Sequence, residues 1–229
     1  MPALLPAVPR AAIFDFNGTI SLDEPVLDRL FRDAFAEIGI LFDSAFYYRE
    51  LAGLSDPEIV ERALVLHGRP AAPDLCAALL RAKIDRYKEV VAAEPTITPV
   101  IVAFLRETAG RVPVAIGSGA VREEIAFQLE LHGLTDLFGI LVTIDDVVAG
   151  KPDPETYARC LELLRVDHPD LAAGDCVVFE DSRHGVAAAH ALGMRCVGIH
   201  SSGERSALAS ADAIVDGLGP ELVEPLFGG

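Results

Sequence analysis

From Pro99 onward, short apolar runs alternate with amphipathic stretches of helical period, and that alternation leaves few folds open. The runs fall at residues 112–116, 140–143, 176–179, 196–199 and 213–215, and an earlier one ends at Phe14. Short runs that are apolar on both faces suit buried strands of a parallel sheet, which helices cover on both sides. The pattern predicts an α/β fold: a Rossmann-like, doubly wound, mostly parallel sheet.

Residues 25–92 break the alternation. Leu27, Leu30, Phe31, Ala34, Phe35 and Ile38 share one helical face, and Gly39 offers a stop. Ser55-Asp56-Pro57-Glu58 has capping-box spacing with Pro in the first turn, which predicts a helix to about His67-Gly68. Leu80, Ile84, Tyr87 and Val91 form a further stripe. This stretch is expected to be an inserted all-helical cap, residues 21–94, on a core made of residues 1–20 and 95–229. Hinges are expected near residues 21–24 and 92–95, and 229 residues suffice for one sizeable core and a smaller lobe.

The net charge of −16 argues against nucleic acid and anionic membranes as partners, since both are held by Lys and Arg. A small anion needs only a local positive site. Cys76, Cys160, Cys176 and Cys196 have no zinc spacing and read as small buried hydrophobes. Residues 1–10 are too short and Pro-interrupted for a signal peptide, and no run reaches the ~20 apolar residues of a membrane span. A reducing, cytoplasmic setting and a monomer are expected.

In open α/β sheets, ligands bind beyond the carboxyl ends of the strands, so the residues after each run carry the chemistry. Asp15 follows the first strand in Ile13-Phe14-Asp15-Phe16-Asn17-Gly18-Thr19-Ile20. Ser118 follows the second run between Gly117 and Gly119, and Glu180-Asp181 end Val177-Val178-Phe179. Lys151, one of three lysines, lies a loop beyond its strand in Gly150-Lys151-Pro152-Asp153-Pro154, with Asp153 the expected helix cap. Asp15 suits a nucleophile that forms an acyl phosphate. Ser118 and Gly119 suit a phosphate oxygen through hydroxyl and backbone N–H groups. Lys151 suits offsetting phosphoryl charge. Three carboxylates in one cleft repel unless a cation joins them, and Mg²⁺ fits an all-oxygen set.

The order of Asp, Ser, Lys and paired acids resembles the four motifs of the haloacid dehalogenase superfamily, over nearly the whole chain. The resemblance implies a Mg²⁺-dependent phosphoryl-transfer enzyme acting on a small phosphorylated metabolite through an aspartyl phosphate. It implies Asp15, the main-chain carbonyl of Asn17 and Asp181 as metal ligands, with Glu180 direct or through water. Motif spacing, Glu24-Pro25 and the helical cap are most similar to the β-phosphoglucomutase and sugar-phosphatase branch. Cap residues Arg49, Gly53 and Ser55 are then candidates for the non-reacting part of the substrate, Arg122 is a weaker one, and His184, three residues after Asp181, is a weak candidate to reach the cleft.

Three departures matter. The superfamily's Asp-x-Asp-Gly-Thr is Asp15-x-Asn17-Gly18-Thr19 here, and an amide cannot serve as the general acid/base, a contribution of typically ~10²–10⁴-fold. Leu27 stands where the branch has His, and Gly53-Leu54-Ser55-Asp56 replaces its Gly-x-Ser-Arg, which favours hydrolysis over isomerisation. Three readings of Asn17 stay open at the level of sequence: a slow phosphatase, a site altered from Asp to silence it, and an Asn-Gly pair converted to acid. A phosphosugar mutase and a non-catalytic phosphate-binding protein are the alternatives. The intact Glu180-Asp181 pair argues against the metal-free dehalogenase branch, and Lys83 and Lys88 lie too late in the cap for the Schiff-base lysine of the phosphonate-cleaving branch.

Overall fold

The computed structural model describes residues 4–201 and 205–228, so the outer ends of the expected core, residues 1–3 and 229, lie outside the described residues. Six parallel strands form one sheet: β1 (Ala11–Phe14), β2 (Val114–Gly117), β3 (Leu141–Val142), β4 (Cys176–Glu180), β5 (Arg195–Ile199) and β6 (Ala213–Val215). Their spatial order is β3-β2-β1-β4-β5-β6, with Phe14 opposite Ile116 on one side and Phe179 on the other. The order reverses direction between β1 and β4, and a crevice at that switch point is where such sheets bind ligands.

Four helices follow β1 and form the insertion: α1 (Glu24–Glu37), α2 (Ser44–Glu50), α3 (Asp56–Leu66) and α4 (Pro73–Ala93). Then come α5 (Pro99–Ala109), α6 (Arg122–Leu131), α7 (Glu155–Asp167), α8 (Arg183–Ala191) and α9 (Val223–Phe227). Alternate strand residues feed opposite faces of the sheet. Ala12 and Phe14 meet Phe104 of α5, Ile125 of α6 and Leu226 of α9, while Ala11 and Ile13 meet Tyr157 of α7 and Val186 of α8. A third apolar cluster gathers α1–α4, with Leu30, Phe35, Tyr47, Ala63 and Tyr87 in it and Phe127 of α6 packed against it.

The runs expected to be strands are strands, with shifted edges. The second begins at Val114 rather than residue 112, because the Val112 N–H is spent on Thr108 O at the end of α5 and Pro113 has no N–H. The third shrinks to Leu141–Val142 because Thr143 turns away, its N–H and hydroxyl both donating to Asp146. Gly39 and Gly68 end α1 and α3 as expected, with positive φ at 78° and 69°. At the start of α3, Ser55 donates from its N–H and its hydroxyl to Glu58 Oε2. Helix α7 starts at Glu155 with Pro154 in the cap position, one residue later than expected, although Asp153 Oδ1 still accepts the Glu155 N–H at 2.9 Å.

The four-helix insertion is tied to the sheet by polar contacts. Where the chain leaves and re-enters the sheet region, Ser21 Oγ and Thr96 Oγ1 lie 2.7 Å apart, and Gln128 Nε2 of α6 donates to Ser21, Thr96 and Tyr87. Deeper in, Lys83 of α4 reaches Asp56 Oδ2 of α3 at 3.0 Å and Glu124 Oε2 of α6 at 2.7 Å. Its side chain is fully buried, so each carboxylate depends on that single ammonium. No helix among the described residues is long and apolar enough to cross a membrane. No disulfide joins the four cysteines.

Replacing Lys83 by Met strands two buried carboxylates without a counter-charge. The expected cost is about 3–5 kcal/mol of stability, read as a lower midpoint in urea unfolding. An unchanged midpoint would show that the three groups are not joined in solution.

Candidate active site

Asp15 leaves β1 directly above the switch point, and its N–H donates to Phe179 O, which fixes the turn against β4. Its carboxylate meets Lys151 Nζ at 2.6 Å, and the same ammonium donates to Glu180 Oε1 at 2.7 Å. All three side chains are buried. Glu180 is otherwise fully engaged: Oε1 also accepts the Tyr157 hydroxyl at 2.8 Å, and Oε2 accepts the N–H and hydroxyl of Ser182 at 2.8 and 2.9 Å. Asp181 completes the acidic group, with carboxylate oxygens of Asp15, Glu180 and Asp181 within 4.8 Å of one another.

Backbone space is as tight as the charge. Gly18 has φ of 75°, and a Cβ there would lie 1.9 Å from Asp181 Oδ2. At the first turn of α8, a Cβ on Gly185 would fall 1.7 Å from Glu180 Oε1. Only a residue without a side chain lets these two segments approach the acids.

One ammonium among three carboxyls leaves an excess of buried negative charge. Burial above all, with Glu180's charge adding, pushes Asp15 up to about 7 against the pull of Lys151. Asp181 is raised well above the usual carboxylate range by burial and by the charges of Glu180, Asp15 and Glu24. Burial works against the Glu180 charge too, yet Lys151 and the Ser182 and Tyr157 donors hold it below its ordinary value. Burial likewise opposes the Lys151 charge, and Asp15 and Glu180 overcome that. A divalent cation with oxygen ligands fits this donor set, because it supplies the missing positive charge.

Ten of the residues singled out in the sequence border one cleft of about 530 Å³: Asp15, Asn17, Ser118, Gly119, Lys151, Glu180 and Asp181 on the sheet side, and Arg49, Gly53 and Ser55 on the helical side. Several are committed elsewhere. The Ser118 N–H is spent on Val142 O, so its hydroxyl is the donor it keeps at the cleft; Ser118 Oγ also accepts the Ala120 N–H. Arg49 lies at the rim and bonds Glu50. The Ser55 hydroxyl donates to Glu58, and Asn17 Nδ2 donates to Asp23 Oδ2 at 2.9 Å. Arg122 is not brought to the cleft, being held by Leu141 O and Asp146. His184 does reach it, with Nδ1 3.2 Å from Gly53 O.

Sequence reasoning missed the aromatic and acidic wall that α1, α2 and α3 contribute. Glu24, Tyr47 and Asp56 border the cleft, and burial, with Asp23's charge adding, pushes Glu24 up to about 7. It also missed Tyr157, whose position six residues past Lys151 signals nothing until α7 packs against β2 and β3 and the hydroxyl meets Glu180 at the end of β4.

The sequence pattern of the haloacid dehalogenase-like hydrolases matches residues 9–193. Validoxylamine A 7'-phosphate phosphatase of Streptomyces hygroscopicus subsp. limoneus is 28% identical over 211 residues, 91% of this chain and 94% of that one. Fructose-1-phosphate phosphatase YqaB of Escherichia coli is 30% identical over 188 residues, 82% of this chain and 94% of that one. Among solved structures, a mutant CbbY from Rhodobacter sphaeroides in complex with xylulose-(1,5)bisphosphate superposes with a TM-score of 0.77 at 26% identity, covering 91% and 94% of the two chains. β-Phosphoglucomutase from Clostridium difficile shares the fold, with a TM-score of 0.77 at 21% identity over 96% and 97% of the chains.

Tyr157→Phe removes one buried donor from a charged acceptor and changes nothing else in volume. The expected loss is about 1.5–3 kcal/mol in chemical denaturation. Parent-like stability would mean that the hydroxyl does not support Glu180.

Proposed function

This chain belongs to the haloacid dehalogenase-like hydrolase family, and on that premise we propose that it is a magnesium-dependent phosphatase. Its substrate is a small phosphate monoester, a sugar phosphate, cleaved through a covalent aspartyl phosphate on Asp15. The observation that carries this reading is the buried contact of Lys151 with Asp15, beside Glu180 and Asp181, at the floor of a cleft sized for a small metabolite. Phosphatases of two sugar-like substrates among the relatives support the substrate class.

In this reading an Asp15 oxygen attacks phosphorus and the bond from phosphorus to the ester oxygen breaks. Water then opens the acyl phosphate and releases inorganic phosphate. The Ser118 hydroxyl and the Gly119 N–H hold phosphoryl oxygens, and Lys151 offsets their charge and that of Asp15. Glu180, with its oxygens already occupied, keeps the ammonium in place. Asp15, Asp181 and the main-chain carbonyl of Asn17 would hold Mg²⁺, with the charge of Glu180 close by. When bound, the ion screens the repulsion between nucleophile and substrate. Residues 21–94 act as a cap over the site, with Arg49, Gly53 and Ser55 on the face turned to the substrate.

A panel of sugar phosphates should be hydrolysed with Mg²⁺, stop on addition of EDTA, and remain untouched by Asp15→Ala. Full turnover by Asp15→Ala would contradict the mechanism.

A further inference from the structure

The amide of Asn17 has no proton to give at neutral pH, and its Nδ2 is directed at Asp23. A phosphatase that releases an alcohol still needs a group to protonate the leaving oxygen and later to activate water. The polar residues around the cleft can be tested one by one. Asp23 is fully buried, bonded to Asn17 and Tyr87, and does not border the cleft. His184 borders it, but its Nδ1 faces Gly53 O. Tyr47 borders it, but burial first and the Glu24 charge second hold its phenol well above the ordinary value, which makes it a poor acid.

Glu24 is different. It opens α1 and borders the same cleft as Asp15 and Asn17. Its Oε1 is buried with no hydrogen-bond partner, while the Tyr47 phenol favours the ionised carboxyl. A buried carboxyl oxygen without a partner is costly, and a ligand in the cleft removes that cost by bonding to it. We propose that Glu24 is the proton-transfer residue of this site and takes over the work that Asn17 cannot do. The inference rests on the phosphatase reading.

The balance is complete within the chain and its substrates. As the bond from phosphorus to the ester oxygen breaks, the Glu24 carboxyl gives its proton to that oxygen, and alcohol and Asp15 acyl phosphate result. The Glu24 carboxylate then takes a proton from the attacking water as the bond from phosphorus to Asp15 breaks, so that inorganic phosphate leaves, the Asp15 carboxylate is freed and Glu24 is protonated again. The raised position of this carboxyl, near neutrality, suits it to both steps.

Glu24→Gln keeps the size of the side chain and an oxygen for Tyr47. Two esters separate the proton from the fold: p-nitrophenyl phosphate, whose leaving group needs no proton, and the sugar phosphate that the parent chain hydrolyses fastest. The expected result for Glu24→Gln is a ~10²–10⁴-fold fall on the sugar phosphate. With p-nitrophenyl phosphate, a burst of about one equivalent of nitrophenol should precede slow turnover, because the first step survives and only water activation is lost. Adding Asn17→Asp to Glu24→Gln should restore the sugar-phosphate rate, which also shows that the variant is folded. Parent-like rates in Glu24→Gln, or an equal fall on both esters with no burst, would overturn the assignment while leaving the phosphatase reading intact. A parent chain that hydrolyses neither ester would overturn both.

Discussion

The contact on which the rest of the site depends is the Lys151 ammonium shared by Asp15 and Glu180, buried where the sheet reverses its winding. A charge taken out of water must be paired and hydrogen-bonded or it destabilises the fold. Here the pairing reaches into four elements: the end of β1, the end of β4, the loop that carries Lys151, and α7 through Tyr157. Ser182, capping α8, closes the set. The geometry that a phosphoryl-transfer site needs is therefore also the arrangement that makes the buried charges tolerable, and neither can be altered alone.

The helical insertion follows the same rule on a second site. Lys83 serves Asp56 and Glu124 across the junction of α3, α4 and α6, as Lys151 serves the acids below it. Two of the three lysines of this acidic chain thus sit in its interior, each between two carboxylates. The junction also sets the acidic wall of the cleft, because the α3 start that carries Asp56 lies against Gly119: a Cβ on Gly119 would be 3.4 Å from the Ser55 Cα. Contact of that kind brings the start of α3 and the loop after β2 to one place.

Much of this was legible in the sequence, for physical reasons. Continuous apolar runs fixed the strands because strands covered on both faces admit little else, and their carboxyl ends held Asp15, Ser118 and the Glu180-Asp181 pair as the doubly wound rule requires. Strand edges moved where a local bond competes with the ladder, as at Pro113 and Thr143. What the sequence hid was partnership. Nothing along the chain says that Glu180 has no oxygen to spare, that the Ser118 N–H belongs to the sheet, or that Glu24, at the cleft, keeps a buried carboxyl oxygen unbonded. Those facts arise only when distant segments meet, and Glu24 in particular stands in the sequence as half of the Glu24-Pro25 pair at a helix start, where acids are common, with nothing to mark its place at the cleft.

The central claim is that the acids around Asp15 carry more negative charge than Lys151 can balance, and that Asp181 exists to complete the site for a divalent cation. Calorimetric titration of Mg²⁺ into the parent chain and into Asp181→Asn tests it most directly. The account predicts saturable binding of one ion by the parent and loss of that binding in the variant. Equal affinity in both proteins, or no binding by either, would contradict it.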